Sequence, residues 1–503
     1  MLANLAVLLS LGTSALAGSV SYALAERATP DLKSLLSQPQ HAWCSGTQVF
    51  FPGQANYANL TTQRWSTYEE PTYFASVKPA CVQDVITVVK IATANNIPFL
   101  TTGGGHSFSI NLNKIQNGLE LDMGGLKSVN VDKAASTMTI TGAITFIEVV
   151  APLYAAGKEI PTGSCGCVGF VGGTMGAGVG RYQGIHGLII DSLLSVDLVT
   201  AAGNLVTASA TQNSDLFWGF RGAGMNFGVV TSATYQVHDL TNGGEVQDAD
   251  MIFLAPQNVS YFNTLASLSG TLPPELSLIS YVAYNSTAGV QEIILNAVYP
   301  GPMATFMTLI KPFLDLQPVV QVVHTLTWSS LLETAGFALD ASVCAKGKPH
   351  SGFATGVKNL SAPTFIDAFD KYGAMYAKYP ETQGSVLEIE FFPTQAVLAV
   401  PDAATAYPWR AVNAQVMFEM AFPGSATSPA GAYANALAVA LRSEFVKTNG
   451  LPQMEIYVSY AHGDEDPIYT FGAEKLPRLV ALKNLWDPKD VFSHDKPIPQ
   501  KWP

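Results

Sequence analysis

Ten of the 28 residues from Ile160 to Gly187, "IPTGSCGCVGFVGGTMGAGVGRYQGIHG", are glycine. Glycine costs backbone entropy and offers no side chain to pack. Such density is kept where backbone must come very close to a ligand or to other backbone. Two further glycine turns flank the segment, "TTGGGHSFS" (Thr101 to Ser109) upstream and "RGAGMNFG" (Arg221 to Gly228) downstream. One such turn alone is well explained by close strand packing. Three of them between residues 101 and 228 point to a bulky ligand cradled by backbone. His106 alone reads as a turn histidine capping a backbone group. At the end of a glycine triplet beside a large ligand, it becomes a candidate contact.

The surrounding pattern supplies regular elements to hold these turns. "CVQDVITVVKIATAN" (81–95) places Val82, Val85, Ile86 and Val89 at helical spacing, and "IPFLTT" reads as a short buried strand leading into the first glycine turn. "LELDM" and "TMTITG" alternate as strands, and "FIEVVAPLYAAG" is a helix ending at Gly157. "LLSVDLVTAAGNLVTAS" is a hairpin with Gly203-Asn204 near its turn. The third glycine turn lies between a short helix and a strand. Beyond Asp239 the glycines thin out, and "EIILNAVYP" and "VLEIEFF" read as strands. The expected organisation is a first domain over 40–243, a second over 244–454 inserted into it, and a segment 455–503 that returns to the first.

Several classes of function are excluded. "GAGVGR" puts Arg181, and "GAGMNF" puts Phe227, where a dinucleotide fingerprint needs its last glycine. No G-x-x-x-x-G-K-[ST] phosphate loop occurs. A net charge of −12 with no basic stripe argues against nucleic acid and against an anionic membrane surface. "LANLAVLLSLGTSALA" is uncharged and apolar, with small-residue exits at Ala15-Leu16-Ala17 and Ala23-Leu24-Ala25. It reads as a secretory signal peptide over 1–17, extending to 25 if the second exit is used. It falls short of the ~20 apolar residues of a membrane span, and no later stretch is long enough. Four sequons, at Asn59, Asn258, Asn285 and Asn359, accord with secretion. Cysteines 44, 81, 165, 167 and 344 are an odd set, leaving at least one for a task other than pairing. Cys165 and Cys167 are a poor pair for each other, because the ring would be strained.

Taken together, "GGGHS" after a helix–strand unit, "GSCGCVG" about 60 residues on, "DLFWGFRGAGMNFGVVT", and "YVSY" followed by "RLVALKNLWDP" resemble the berberine-bridge-enzyme-like branch of the vanillyl-alcohol oxidase flavoproteins. The order and spacing match over roughly 40–503. The resemblance implies an α+β fold: a two-subdomain PCMH-type FAD-binding domain with an inserted substrate domain built on an antiparallel sheet flanked by helices. It implies FAD as cofactor, bonded through its 8α-methyl group to His106. It also implies a second bond from flavin C6 to Cys165, which Gly163-Ser164-Cys165 and Val168-Gly169 select over Cys167. An imidazole nitrogen and a thiolate are nucleophiles able to add to an oxidised flavin, and glycine backbone N–H groups can reach pyrophosphate as an anion nest does. The implied cofactor-binding set is Thr102, Gly103, Gly104, Gly105, His106, Ser107, Ser164, Cys165, Val168, Gly169, Gly172, Gly173 and Val230. A Cys44–Cys81 disulfide is implied by the family pattern together with the leader.

Three departures from the family pattern stand out. Gly173 replaces a common histidine, Cys167 a common threonine, and Tyr457-Val458-Ser459-Tyr460 a common Y-x-N-Y. Val168 is a small β-branched residue where oxygen-reducing relatives carry one, which favours molecular oxygen as acceptor. Oxidation of an alcohol or amine needs hydride delivery to the flavin and removal of one proton; the protein supplies the base and the orientation. Tyr460, the second tyrosine of the motif, is the expected base, provided its surroundings lower its pKa from near ~10. The competing reading of Tyr460 is a strand aromatic in the core. Strand spacing puts Tyr457 on the opposite face. Glu388 and Glu390 share one face of a strand, as a pocket wall or equally a solvated sheet face, and stay outside the catalytic set. The expected substrate is a small alcohol, amine or natural-product intermediate. An oligosaccharide oxidase and a flavoprotein scaffold that guides a cyclisation without net oxidation are the alternatives.

Overall fold

The computed structural model describes residues 31–61 and 63–502. The expected leader lies outside these residues. Among the described residues, no helix is long and apolar enough to cross a membrane.

Helix Val82–Asn95 forms where its valines predicted it, crossing between strands Tyr73–Lys78 and Phe99–Thr102. Both strands run parallel to Gly118–Asp122, which lies between them. Gln48–Phe50 completes this four-stranded sheet as an antiparallel edge. Asp84, in the first turn of the helix, accepts hydrogen bonds from the N–H groups of Cys44, Ala80 and Cys81. The Cys44–Cys81 disulfide closes the same corner, as the family pattern implied.

Five antiparallel strands form the second layer, in the order Lys127–Asp132, Thr137–Gly142, Val229–Gln236, Leu193–Val199, Leu205–Ser209. The glycine-rich segment holds a helix, Phe170–Gly176, that the glycine count concealed. Each interior glycine costs roughly 1 kcal/mol of helix propensity against alanine. Packing offsets that cost: Phe170 is fully buried, edge-to-face against Phe146 and Tyr235. A Cβ at Gly173 would lie 2.8 Å from the Phe146 ring, so glycine is what this contact admits.

Seven antiparallel strands build the third layer: Val320–Thr327, Glu245–Leu254, Val290–Tyr299, Ser277–Asn285, Val386–Phe391, Ala414–Ala421, His350–Val357. One face is an apolar core that includes Phe253, Leu278, Leu295, Ile389 and Phe418, together with residues of helices Asn258–Ser267, Met303–Leu314, Ala362–Lys378 and Pro429–Val446. Because strand side chains alternate between faces, the other face is set by the same register. A single cross-strand row there reads Asp250, Asn296, Ile279, Glu390, Gln415, Gly356. Asp250, Asn296, Glu390 and Gln415 are all buried, so this is no solvated face. Ile279 packs with Ala177, Val179 and Ile190 of the glycine-rich segment and its flank.

Past Glu455 the chain returns to the first two layers. Leu476, Leu479 and Leu482 of helix Leu476–Trp486 join the core of the five-stranded sheet. Ahead of that helix, "YVSY" is not a strand. Val458–Tyr460 is a 3-10 turn, closed by the Tyr460 N–H donating to the Tyr457 carbonyl at 2.8 Å. The turn brings Tyr457 and Tyr460 together edge-to-face, with ring centroids 4.8 Å apart, instead of on opposite faces.

Candidate active site

The glycine triplet divides its work. A Cβ at Gly104 would sit 2.6 Å from the Gly169 nitrogen and 2.8 Å from the Cys167 carbonyl oxygen, so the first two glycine turns touch backbone to backbone here. Gly105 has φ +72°, the left-handed conformation that turns the chain toward His106. The His106 ring stacks on Trp65 at 4.5 Å, and His350 stacks on the same indole at 4.1 Å. Glu419 Oε1 lies 2.6 Å from His350 Nδ1. Burial, with the charges of Lys346, His350 and Arg64 adding to it, pushes the His106 pKa down to about 3. The imidazole is therefore neutral, the form with a free electron pair.

Cys165 is the free cysteine among those described; Cys167 pairs with Cys344. Cys165 Sγ lies 3.9 Å from His106 Nε2, so the two expected attachment residues meet. Burial, reinforced by Asp340, pushes the Cys165 thiol up to about 12.

One cavity of about 260 Å3 runs along the two turns. Of the expected cofactor set, Thr102, Gly103, Gly104, Gly105, His106, Ser107, Val168, Gly169, Gly172, Gly173 and Val230 line it, and so does Tyr460. Ser164 and Cys165 do not. The Ser164 hydroxyl donates to Glu390 Oε1 at 2.8 Å. Tyr460 donates to the other oxygen of the same carboxylate, Oε2, also at 2.8 Å. Glu390 is thus held on both oxygens, one by the cofactor loop and one by the C-terminal segment.

This constellation revises the role expected of Tyr460. Its phenol is not lowered; burial, with the nearby Glu390 and Glu388 charges, pushes it well above the ordinary value. Burial also raises the Glu390 carboxyl, against the hydrogen bonds from Ser164 and Tyr460. Glu388 is raised well above the usual carboxylate range by burial and by Glu390. Glu390 was legible only as half of an alternating pair in an apolar strand. Among the cavity residues that escaped the sequence reading are the charged Arg64, Asp495 and Lys496, because none of them sits in a motif.

The cavity fits FAD on its own chemistry. Nothing lies within 4 Å of a Cβ built on Gly172, so that helix turn fronts open space of the kind a planar ring system fills. The Thr102 hydroxyl and the Arg64 guanidinium line the same cavity and offer a neutral and a cationic hydrogen-bonding group to a polar cofactor. Arg64 spends one guanidinium nitrogen on the Ser107 carbonyl at 2.7 Å.

Comparison with known proteins agrees. Residues 75–209 match the FAD binding domain family, and residues 456–499 match the berberine and berberine-like family. The chain is 38% identical over 476 residues to the FAD-linked oxidoreductase srdI of Neurospora crassa, covering 94% of each chain. It is 40% identical over 488 residues to the FAD-linked oxidoreductase fogF of Aspergillus ruber, covering 96% of this chain and 97% of that one. The fold is that of Physcomitrella patens BBE-like 1, at TM-score 0.78 and 24% identity over 91% of this chain and 98% of that one. Two glycine turns in backbone contact, a cavity running along them and a likeness along nearly the whole chain give one conclusion: the protein is an enzyme of the berberine-bridge-enzyme-like family of FAD-linked oxidoreductases.

Proposed function

We propose that the protein is a secreted oxidase that removes a hydride and a proton from a small hydroxylated or amine-bearing organic molecule, with molecular oxygen as the final acceptor. The observation that carries this reading is the Ser164–Glu390–Tyr460 constellation, which sets a proton acceptor directly behind a cavity-lining phenol. Bound FAD supplies the two-electron acceptor for the hydride. Tyr460 Oη faces the substrate and takes its proton while passing its own to Glu390 Oε2. The phenol need never stand as a free phenolate, which its burial forbids. A carboxyl raised above its ordinary range is suited to receive a proton near neutral pH.

His106 and Cys165 are the proposed covalent anchors. Neutral His106 is ready as a nucleophile, whereas Cys165 must first lose a tightly held proton. Val168 lines the cavity beside the cofactor loop, where its small side chain leaves room for oxygen. Two disulfides and the exposed sequons at Asn59 and Asn359 support passage through the secretory pathway.

The test is peroxide release by the purified protein across a panel of aryl and allylic alcohols, phenolic alcohols, amines and chito- and cello-oligosaccharides. Turnover of small alcohols or amines with one peroxide per product is expected. Turnover of the sugars alone, or ring closure with no peroxide, would replace this reading by one of the two alternatives. Acid precipitation tests the anchors: yellow colour that stays with the polypeptide is expected, and colour lost to the supernatant counts against both.

A further inference from the structure

Three sulfur atoms meet where the cofactor loop touches the seven-stranded-sheet domain. Cys167 of the loop is bonded to Cys344, which follows the short helix Asp340–Val343. Cys165 Sγ lies 3.4 Å from Cys167 Sγ and 3.4 Å from Cys344 Sγ, so a free thiol touches both atoms of a disulfide. The Gly166 N–H donates to Asp340 Oδ1 at 2.7 Å and fixes the loop against the segment that carries Cys344.

We propose that Cys165, Cys167 and Cys344 form a thiol–disulfide exchange site in which Cys344 passes between the two cysteines of the cofactor loop. Cys165 loses its proton to base in the solvent, rotation about its Cα–Cβ bond carries the sulfur from beside the disulfide into line with it, and the sulfur attacks Cys344 Sγ. The Cys165–Cys344 bond forms as the Cys167–Cys344 bond breaks, and Cys167 leaves as a thiolate that takes up a proton. One disulfide replaces another, so no oxidant or reductant is consumed. Attack on Cys167 instead would join residues two apart in a strained ring, which makes Cys344 the sulfur that migrates. Both pairings keep the loop stapled to the neighbouring domain. They differ in which thiol is left beside His106.

The high pKa of the buried Cys165 thiol makes exchange slow at neutral pH and faster as pH rises, because the thiolate is the attacking species. One consequence rests on the reading of Cys165 as a flavin anchor. A sulfur committed to a thioether cannot attack, so cofactor attachment freezes the Cys167–Cys344 pairing, and the exchanged form offers no thiol at position 165.

Disulfide mapping tests this without a substrate. In Cys167→Ser secreted from riboflavin-limited culture, so that no flavin occupies Cys165, a non-reducing digest is expected to contain a Cys165–Cys344 cross-linked peptide in place of two alkylatable thiols. Labelling of both cysteines by N-ethylmaleimide would overturn the proposal. Because a variant can misfold, the unaltered chain gives a second measurement. Protein from riboflavin-limited culture is held with trace glutathione at pH 7 and pH 9, quenched in acid, alkylated and fragmented to locate the label. Label at Cys167 as well as Cys165, increasing with pH, is expected; label confined to Cys165 at both values would sink the idea. Fully flavin-loaded protein is expected to take no label at either position. Label at Cys165 in that sample removes the thioether consequence while exchange in cofactor-poor protein still stands or falls by its own result.

Discussion

A phenol hydrogen-bonded to a buried carboxylate gives up its proton most readily to that carboxylate. Tyr460→Phe keeps the ring that packs against Tyr457 and removes only the hydroxyl. Anaerobic flavin reduction by a substrate from the panel is therefore expected to slow by roughly 10²–10⁴, the usual worth of a general base. Flavin content and reoxidation by oxygen should be unchanged in stopped-flow traces. Glu390→Gln removes the terminal acceptor and should cost a similar factor. The pH dependence has a definite sign. Glu390 must be ionised to accept, and its carboxyl is raised, so reduction speeds up with pH through a midpoint above the ordinary carboxylate range. Ser164→Ala removes a donor that favours the ionised form, so its midpoint should move further up, with Ser164→Thr restoring it. A Ser164→Ala midpoint equal to that of the parent would show that this hydroxyl does not tune the carboxylate.

At the scale of elements, two glycines in neighbouring turns should respond oppositely. Gly104→Ala drives a methyl into the Gly169 nitrogen and the Cys167 carbonyl, both backbone atoms. Forcing those turns apart is expected to cost about 1–3 kcal/mol, as overpacking typically does, and to lower flavin content as well. Gly172→Ala meets nothing within 4 Å and lies inside helix Phe170–Gly176. It should stabilise the cofactor-free chain by up to about 1 kcal/mol through helix propensity, while its methyl enters the cradle and lowers flavin incorporation. Thermal melts of riboflavin-limited protein, with the flavin-to-protein absorbance ratio of loaded protein, separate the two effects. A Gly172→Ala variant with full flavin content would mean that the cofactor does not lie against this turn.

Across the whole molecule, the Cys44–Cys81 bond closes a stretch with sequence separation 37 at the corner where the four-stranded sheet meets its helix. Chain entropy values such a closure at about 3–4 kcal/mol. The paired change to serine at 44 and 81 is expected to lower the urea midpoint accordingly while leaving the flavin spectrum of surviving protein intact. An unchanged midpoint would place the bond outside the cooperative core. The candidate active site is a whole-molecule product. Ser164, Glu390 and Tyr460 come from the cofactor loop, the seven-stranded sheet and the C-terminal segment, and they meet on one carboxylate.

Local chemistry was legible in the sequence because it depends on near neighbours. The valine spacing of 82–95 determined a helix, the alternation of 137–142 and 386–391 determined strands, and the glycine triplet before His106 announced a cradle. Two things escaped for opposite reasons. Helix Phe170–Gly176 was masked by its glycines, since burial of Phe170 overrides local propensity. The turn at Tyr457–Tyr460 looked like strand, since three residues carry too little pattern to distinguish a period of two from a turn. Only tertiary structure decided that Glu390 is buried, that Ser164 serves a carboxylate instead of the cavity, and that Cys167 pairs with Cys344. Ser164 and Glu390 lie 226 positions apart, and Cys167 and Cys344 lie 177 apart. Spacing along a chain fixes which face of an element a side chain occupies, whereas the docking of one layer on another fixes what that face meets.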